Sequence, residues 1–179
     1  MPNLLDRFGE WFASKLNPRF DCYRRARLLY ESYLHEMGKP VYKMSPDDHR
    51  IALAHPGLHE AESLYTRAIE LCDQHHALRD RAFGLMQRGM LFGVQDRRDE
   101  AIRDLADAER GLRACASGGD EVDALSDVVY QVGIIRLRSG NLDGLADLAK
   151  SREIDARNDR QDGVLICDQT IRHFKAVHQ

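Results

Sequence analysis

LHEAESLYTRAIELC, residues 58–72, puts two of the smallest side chains, Ala61 and Ala68, on either side of a bulky Tyr65 along one apolar helix face. A surface helix gains most by burying large aliphatic groups, since each contributes roughly 1.5–3 kcal/mol. Alanines at those fixed intervals instead predict that a second helix approaches closely.

The same spacing returns 40 residues on: RRDEAIRDLADAERGL, residues 97–112, sets Ala101, Leu105 and Ala108 where Ala61, Tyr65 and Ala68 stand. Just upstream, LMQRGMLFGVQDR, residues 85–97, places Leu85, Gly89 and Phe92 on one face before the chain turns into the Ala101 helix. Glycine within a helix costs about 1 kcal/mol relative to alanine, so close packing of Gly89 against Ala101 is the expected compensation.

Elsewhere helical periodicity dominates. The ambiguous VVYQVGII, residues 128–135, reads as helix because Ala124, Val128, Gly133 and Leu137 continue its spacing. Helices are expected at about 3–16, 19–37, 45–54, 58–74, 78–94, 98–115, 121–138, 142–156 and 162–177, separated by short polar or glycine-bearing joins. Ser45-Pro46-Asp47-Asp48 carries a strong N-cap signature. Short joins between helices of similar length imply antiparallel hairpins.

These residues resemble the tetratricopeptide repeat, whose pattern sets a large residue, Leu-Gly and an aromatic on one helix, then Ala, a large residue and Ala on the next. Residues 82–115 match best, with Arg88 where leucine is usual before the glycine. Residues 124–156 match through Val129, Val132, Gly133 and the SGNLDG turn, with Leu145 and Arg152 at the two alanine positions. Around residues 45–72 the second helix alone matches. Repeat spacings of 40 and 44 residues exceed the family's usual length of about 34. The resemblance implies an all-α single domain: N-terminal helices at 1–44, about three degenerate hairpins at 45–156 stacked as a right-handed superhelix (an α-solenoid), and a C-terminal capping helix at 157–179.

The resemblance also implies a function, binding another protein or peptide in a concave groove, as an adaptor, assembly factor or chaperone-like holder. First helices line such a groove, so the implied contacts are Phe83, Met86, Gln87 and Met90 on one helix and Asp127, Tyr130, Gln131, Ile134 and Arg138 on the next. Methionines adapt to irregular partners, and tyrosine and arginine are enriched where binding energy concentrates. The alternative for the methionines and Ile134 is core packing. Other readings are a dedicated toxin or enzyme inhibitor of the immunity type, or a helical metal enzyme around His55–His76.

The totals restrict these options. Apolar residues make up 43% and charged residues 31%, with 5 Pro and 13 Gly, the balance of a folded, helix-rich chain. A formal charge of -3 argues against nucleic acid, whose binders carry a basic surplus on one face. The basic run YRRARLLY, residues 23–30, is flanked by Asp21 and Glu31 and reads as a solvated helix face. Asp6, Arg7 and Glu10 interrupt the first apolar segment, so neither a signal peptide nor a membrane span is expected. Asp6 and Glu10 also balance Arg7 and Lys15, so Trp11 and Phe12 are expected to dock on neighbouring helices, not on a lipid surface. Four widely separated cysteines with no CxxC pair suggest reduced thiols and a cytoplasmic address. Pro56 and Gly57 break the register between His55 and His59, and no nucleotide, zinc-protease or nucleophile-elbow motif occurs. No cofactor, metal or enzymatic activity is therefore expected; a homodimer through a terminal helix is possible.

Overall fold

The computed structural model describes residues 17–115 and 119–177; the amphipathic helix expected at 3–16 lies outside the described residues. Eight α-helices make up the described chain: α1 Pro18–Met37, α2 Pro46–Ala54, α3 Pro56–Gln74, α4 Leu78–Val94, α5 Arg98–Cys115, α6 Gly119–Arg138, α7 Gly144–Arg157 and α8 Gln161–Val177. A 3-10 turn, Val41–Lys43, lies between α1 and α2. There is no strand among the described residues, and residues 128–135 fall inside α6. No helix among them is long and apolar enough to cross a membrane.

Local chemistry sets the helix ends. Asn17 caps α1, accepting from the Phe20 backbone amide at 3.3 Å, with Pro18 as the first helical residue. Ser45 and Asp48 form a reciprocal capping box at α2. Four later joints share one closure. His76, Asp96, Gly140 and Asp159 take positive φ of 53°, 58°, 79° and 57°. In each case the next amide bonds back to the carbonyl five residues earlier: Ala77 to Cys72, Arg97 to Phe92 and Asn141 to Arg136 at 2.9 Å, Arg160 to Asp155 at 3.0 Å. This is the Schellman closure, which satisfies carbonyls that a helix end leaves bare.

From α3 to α8 each helix packs against the next in chain order, and α4 also touches α1, α2 and α6. The hairpin partner of α3 is α1, not the short α2 that precedes it, because residues 38–55 intervene as a connector. Ala61, Tyr65, Ala68, Ala101, Leu105 and Ala108 are all fully buried, as the recurring pattern predicts. A Cβ on Gly89 would stand 2.9 Å from Leu105 Cγ and 3.3 Å from the Ala101 carbonyl oxygen, so the α4–α5 approach depends on glycine there.

The third copy needs a one-residue correction. Leu145 and Arg152 do not occupy the small positions; Gly144, Leu148 and Ser151 do, and all three are buried. Arg152 is turned outward and pairs with Asp168 at 2.7 Å. At this crossing a Cβ on Gly133 would lie 3.0 Å from the Gly144 carbonyl oxygen, and a Cβ on Gly144 would overlap the Gly133 carbonyl. Ser126 and Ser151 reinforce it, each hydroxyl lying within hydrogen-bond reach of the other residue's carbonyl, at 3.1 and 3.0 Å. Arg88, which departs from the family pattern, joins three helices: it forms a two-point pair with Asp104 of α5, at 2.7 and 3.0 Å, and donates to Thr66 of α3 at 3.0 Å.

Candidate functional site

The nine residues expected to line one groove separate into three groups. Met90, Asp127, Tyr130 and Gln131 line a cleft of about 600 Å³ bounded by α4, α6, α7 and α8. Phe83 and Gln87 line a second cleft, of about 660 Å³, between α1 and α4. Met86, Ile134 and Arg138 are the exceptions. Met86 and Ile134 are buried in the core, the outcome that helical spacing alone could not distinguish from a groove position.

Arg138 is held by the chain itself. Its guanidinium donates to the Gly93 carbonyl at 3.2 Å, pairs with Asp96 at 2.9 Å and meets His49 Nε2. His49 Nδ1 lies 2.6 Å from the Val94 carbonyl oxygen. A carbonyl only accepts, so Nδ1 carries the proton and Nε2 presents its lone pair to Arg138. Burial foremost, and the neighbouring Arg138 cation, hold the His49 pKa below its ordinary value, although Val94, Asp96 and Asp48 pull the other way. The connector makes a second insertion through Tyr42, which joins Ile134, Leu137, Leu148 and Phe174 in the smaller core cluster and meets the His173 ring at a tilt of 58°, with centroids 5.4 Å apart. Tyr42 and His49 therefore cover Ile134 and Arg138, the surface that a guest chain was expected to reach.

What remains open in the first cleft has two characters. Met90, Tyr130 and Ile166 supply apolar surface, and Ile166 is 46% exposed. Thr170 donates to the Ile166 carbonyl at 2.9 Å, so the Tyr130 hydroxyl, also 2.9 Å away, donates to Thr170. Burial pushes the Tyr130 pKa up to about 12, and its phenol stays neutral. Around this surface stand Asp127, Asp155, Asp159 and Asp162, with Arg160 as the cation among them. Arg160 donates to the Asp123 carbonyl at 3.0 Å and to Asp127 at 3.1 Å, and pairs with the buried Asp155 at 3.0 Å. Desolvation lifts the Asp127 carboxyl above its usual range, while Arg160 opposes that rise. Gly163 closes over Asp155, leaving no room for a side chain.

Sequence reasoning missed Arg160 and Ile166 because residues 157–179 read as a cap, although the charged run RNDRQDG, residues 157–163, was a signal for Arg160; Asp155, on the preceding helix, carried no signal of its own. His55, proposed as part of an alternative metal site, packs its ring at a tilt against Tyr33, with centroids 5.0 Å apart. Among the described residues no three of His, Cys, Asp or Glu gather as metal ligands. The described residues are thus an all-helical fold that leaves open clefts at α4–α6–α8 and at α1–α4. Compared with known protein families, with curated proteins and with solved structures, the chain matches none.

Proposed function

We propose that the chain is a tetratricopeptide-like binding module, a stack of antiparallel hairpins whose α6–α8 cleft receives a segment of another polypeptide. The observation that carries this reading is the pairing of open apolar surface at Met90, Tyr130 and Ile166 with an acidic edge at Asp127, Asp159 and Asp162 against one arginine. A segment that places an aliphatic or aromatic side chain in the cleft and Lys or Arg beside it matches both features, with charge setting register and encounter rate. The superhelical stacking is supported by three copies of the small-large-small face, at 61/65/68, 101/105/108 and 144/148/151. The four cysteines are unpaired, which accords with a reducing, cytoplasmic setting. The role is that of an adaptor, assembly factor or holder, without chemistry of its own.

The test is affinity capture from native extract with mass spectrometry, using the full chain, Met90→Glu and Ile166→Asp. Ile166 is exposed whereas Met90 packs partly against the core, so far-ultraviolet circular dichroism checks that each variant keeps its helices. The same partner should be lost from both variants, and raised salt should weaken its capture by the unmodified chain. Identical capture by all three proteins would remove the cleft from the account.

A further inference from the structure

The short helix α2 buries two of its side chains, His49 and Ala52, while its larger aliphatic groups, Ile51 and Leu53, are 61% and 45% exposed. An aliphatic residue at position 49 would hold α2 to its neighbours at any pH; a histidine makes the attachment depend on a proton. Both ring nitrogens are committed. Nδ1–H donates to the Val94 carbonyl at the end of α4, and the Nε2 lone pair accepts from Arg138 of α6, so neutral His49 ties α2 to two helices at once.

Protonation breaks the second tie. An Nε2–H would face the N–H of a guanidinium, donor against donor and cation against cation. The neighbouring groups do not compensate. Asp96, at the joint between α4 and α5, already pairs with both Arg138 and Arg98, and a charged imidazole would be a third cation beside it. On α2 the Asp48 carboxylate is taken by Lys39 at 2.6 Å and by the Ser45 amide and hydroxyl at 2.6 and 2.7 Å. From α1 the Tyr33 hydroxyl reaches the Asp48 carbonyl at 3.5 Å, and burial raises its pKa, so that phenol stays neutral. With His49 charged, the remaining buried anchor of α2 is the single methyl group of Ala52. A helix of 9 residues is too short to persist alone in water, so lifting α2 from its neighbours also unravels it.

We infer that His49 is a proton-operated latch: once charged, it lets α2 lift off α4 and α6 while the hairpins from α3 to α8 stay folded, uncovering Arg138 and the Val94 carbonyl. The depressed His49 pKa gives the direction. The lifted state takes up the proton more readily than the docked one, so opening is rare above about pH 6.5. Below that it rises by up to about tenfold per pH unit, until the docked imidazole is itself protonated. The latch is independent of guest capture at the α6–α8 cleft, because it is a contact within the chain.

Hydrogen exchange read by mass spectrometry on the full chain, at about pH 7.5 and about pH 5.5 with intrinsic amide rates corrected for pH, tests it. Peptides covering residues 46–54 should exchange several-fold faster at the lower pH, while the interiors of α4 and α6 keep their protection. In His49→Gln, whose amide can donate to Val94 and accept from Arg138 without titrating, the acid-induced rise should vanish. Protection of α2 that does not change with pH in the unmodified chain would overturn the inference. So would a loss shared equally by α4 and α6, which is global unfolding, or the same rise in His49→Gln, which would assign the trigger to another group. The series on the unmodified chain needs no substitution and is decisive by itself.

Discussion

Gly144→Ala is the sharpest test of the close helix approach on which the fold depends. A Cβ at this position would overlap the Gly133 carbonyl and stand 2.7 Å from Leu137 Cγ and 3.0 Å from the Leu137 backbone nitrogen. Two of these three neighbours are backbone, so rotating a side chain cannot relieve the clash and α7 must move off α6. Overpacking of this kind costs about 1–3 kcal/mol, and backbone obstruction puts Gly144 at the upper end. Alanine recovers at most about 1 kcal/mol of helix propensity in a helix interior, and less at the first residue of α7. The expected net loss is about 2–3 kcal/mol, which for a chain of this size lowers Tm by about 4–12 °C. Urea unfolding should show a lower midpoint with an unchanged slope. Gly119→Ala makes the same chemical change where, among the described residues, no atom beyond its own neighbours lies within 4 Å of the new Cβ, and it should stay within about 0.5 kcal/mol of the unmodified chain. Gly133→Ala combined with Gly144→Ala should cost less than the sum of the two, since one displacement relieves both. A Gly144→Ala protein as stable as the parent would refute the reasoning.

Further outcomes follow from Arg88, His49 and the α6–α8 cleft. Arg88→Leu leaves Asp104 desolvated without its partner and should cost on the order of 3 kcal/mol in urea unfolding; adding Asp104→Leu should recover most of it, and a single-variant loss below about 0.5 kcal/mol would class the pair with ordinary surface bridges. The depressed His49 pKa means the unfolded chain takes up a proton that the folded chain resists, so stability contributed by neutral His49 is fully present above about pH 6.5 and declines as pH falls below it. The stability gap between the parent and His49→Gln should therefore narrow on acidification, and a gap independent of pH would show that the His49–Arg138 contact does not titrate. Loss of captured partner in Met90→Glu and Ile166→Asp tests the α6–α8 cleft.

Local repetition was legible in the sequence, whereas filling of space between distant segments was not. Ala61, Tyr65 and Ala68 predict a close neighbour because the sterics of a helix face depend on residues three and four apart, and the match at Ala101, Leu105 and Ala108 shows it repeated. The third copy slipped by one residue because Gly144 and Leu145 both fit a loose pattern, and only the contact with Gly133 distinguishes them. Pairing of α3 with α1 was hidden for a different reason: residues 38–55 interrupt the hairpin, and adjacency in the chain favoured α2. Tyr42 and His49, which reach α8 and α6 from that interruption, carry no periodic signal, and nothing local distinguishes a core tyrosine from one inserted between two helices. A concave face inferred from repeats is drawn empty, whereas this chain packs its own connector onto Ile134 and Arg138 through Tyr42 and His49. Open surface therefore survives where the connector does not reach, at Met90 and Tyr130 on one side and at Phe83 and Gln87 on the other. On the proposed reading, a connector in the middle of the face would also set the size of a guest, so the α6–α8 cleft would suit a short segment held at one or two side chains and not a long peptide laid across all the first helices.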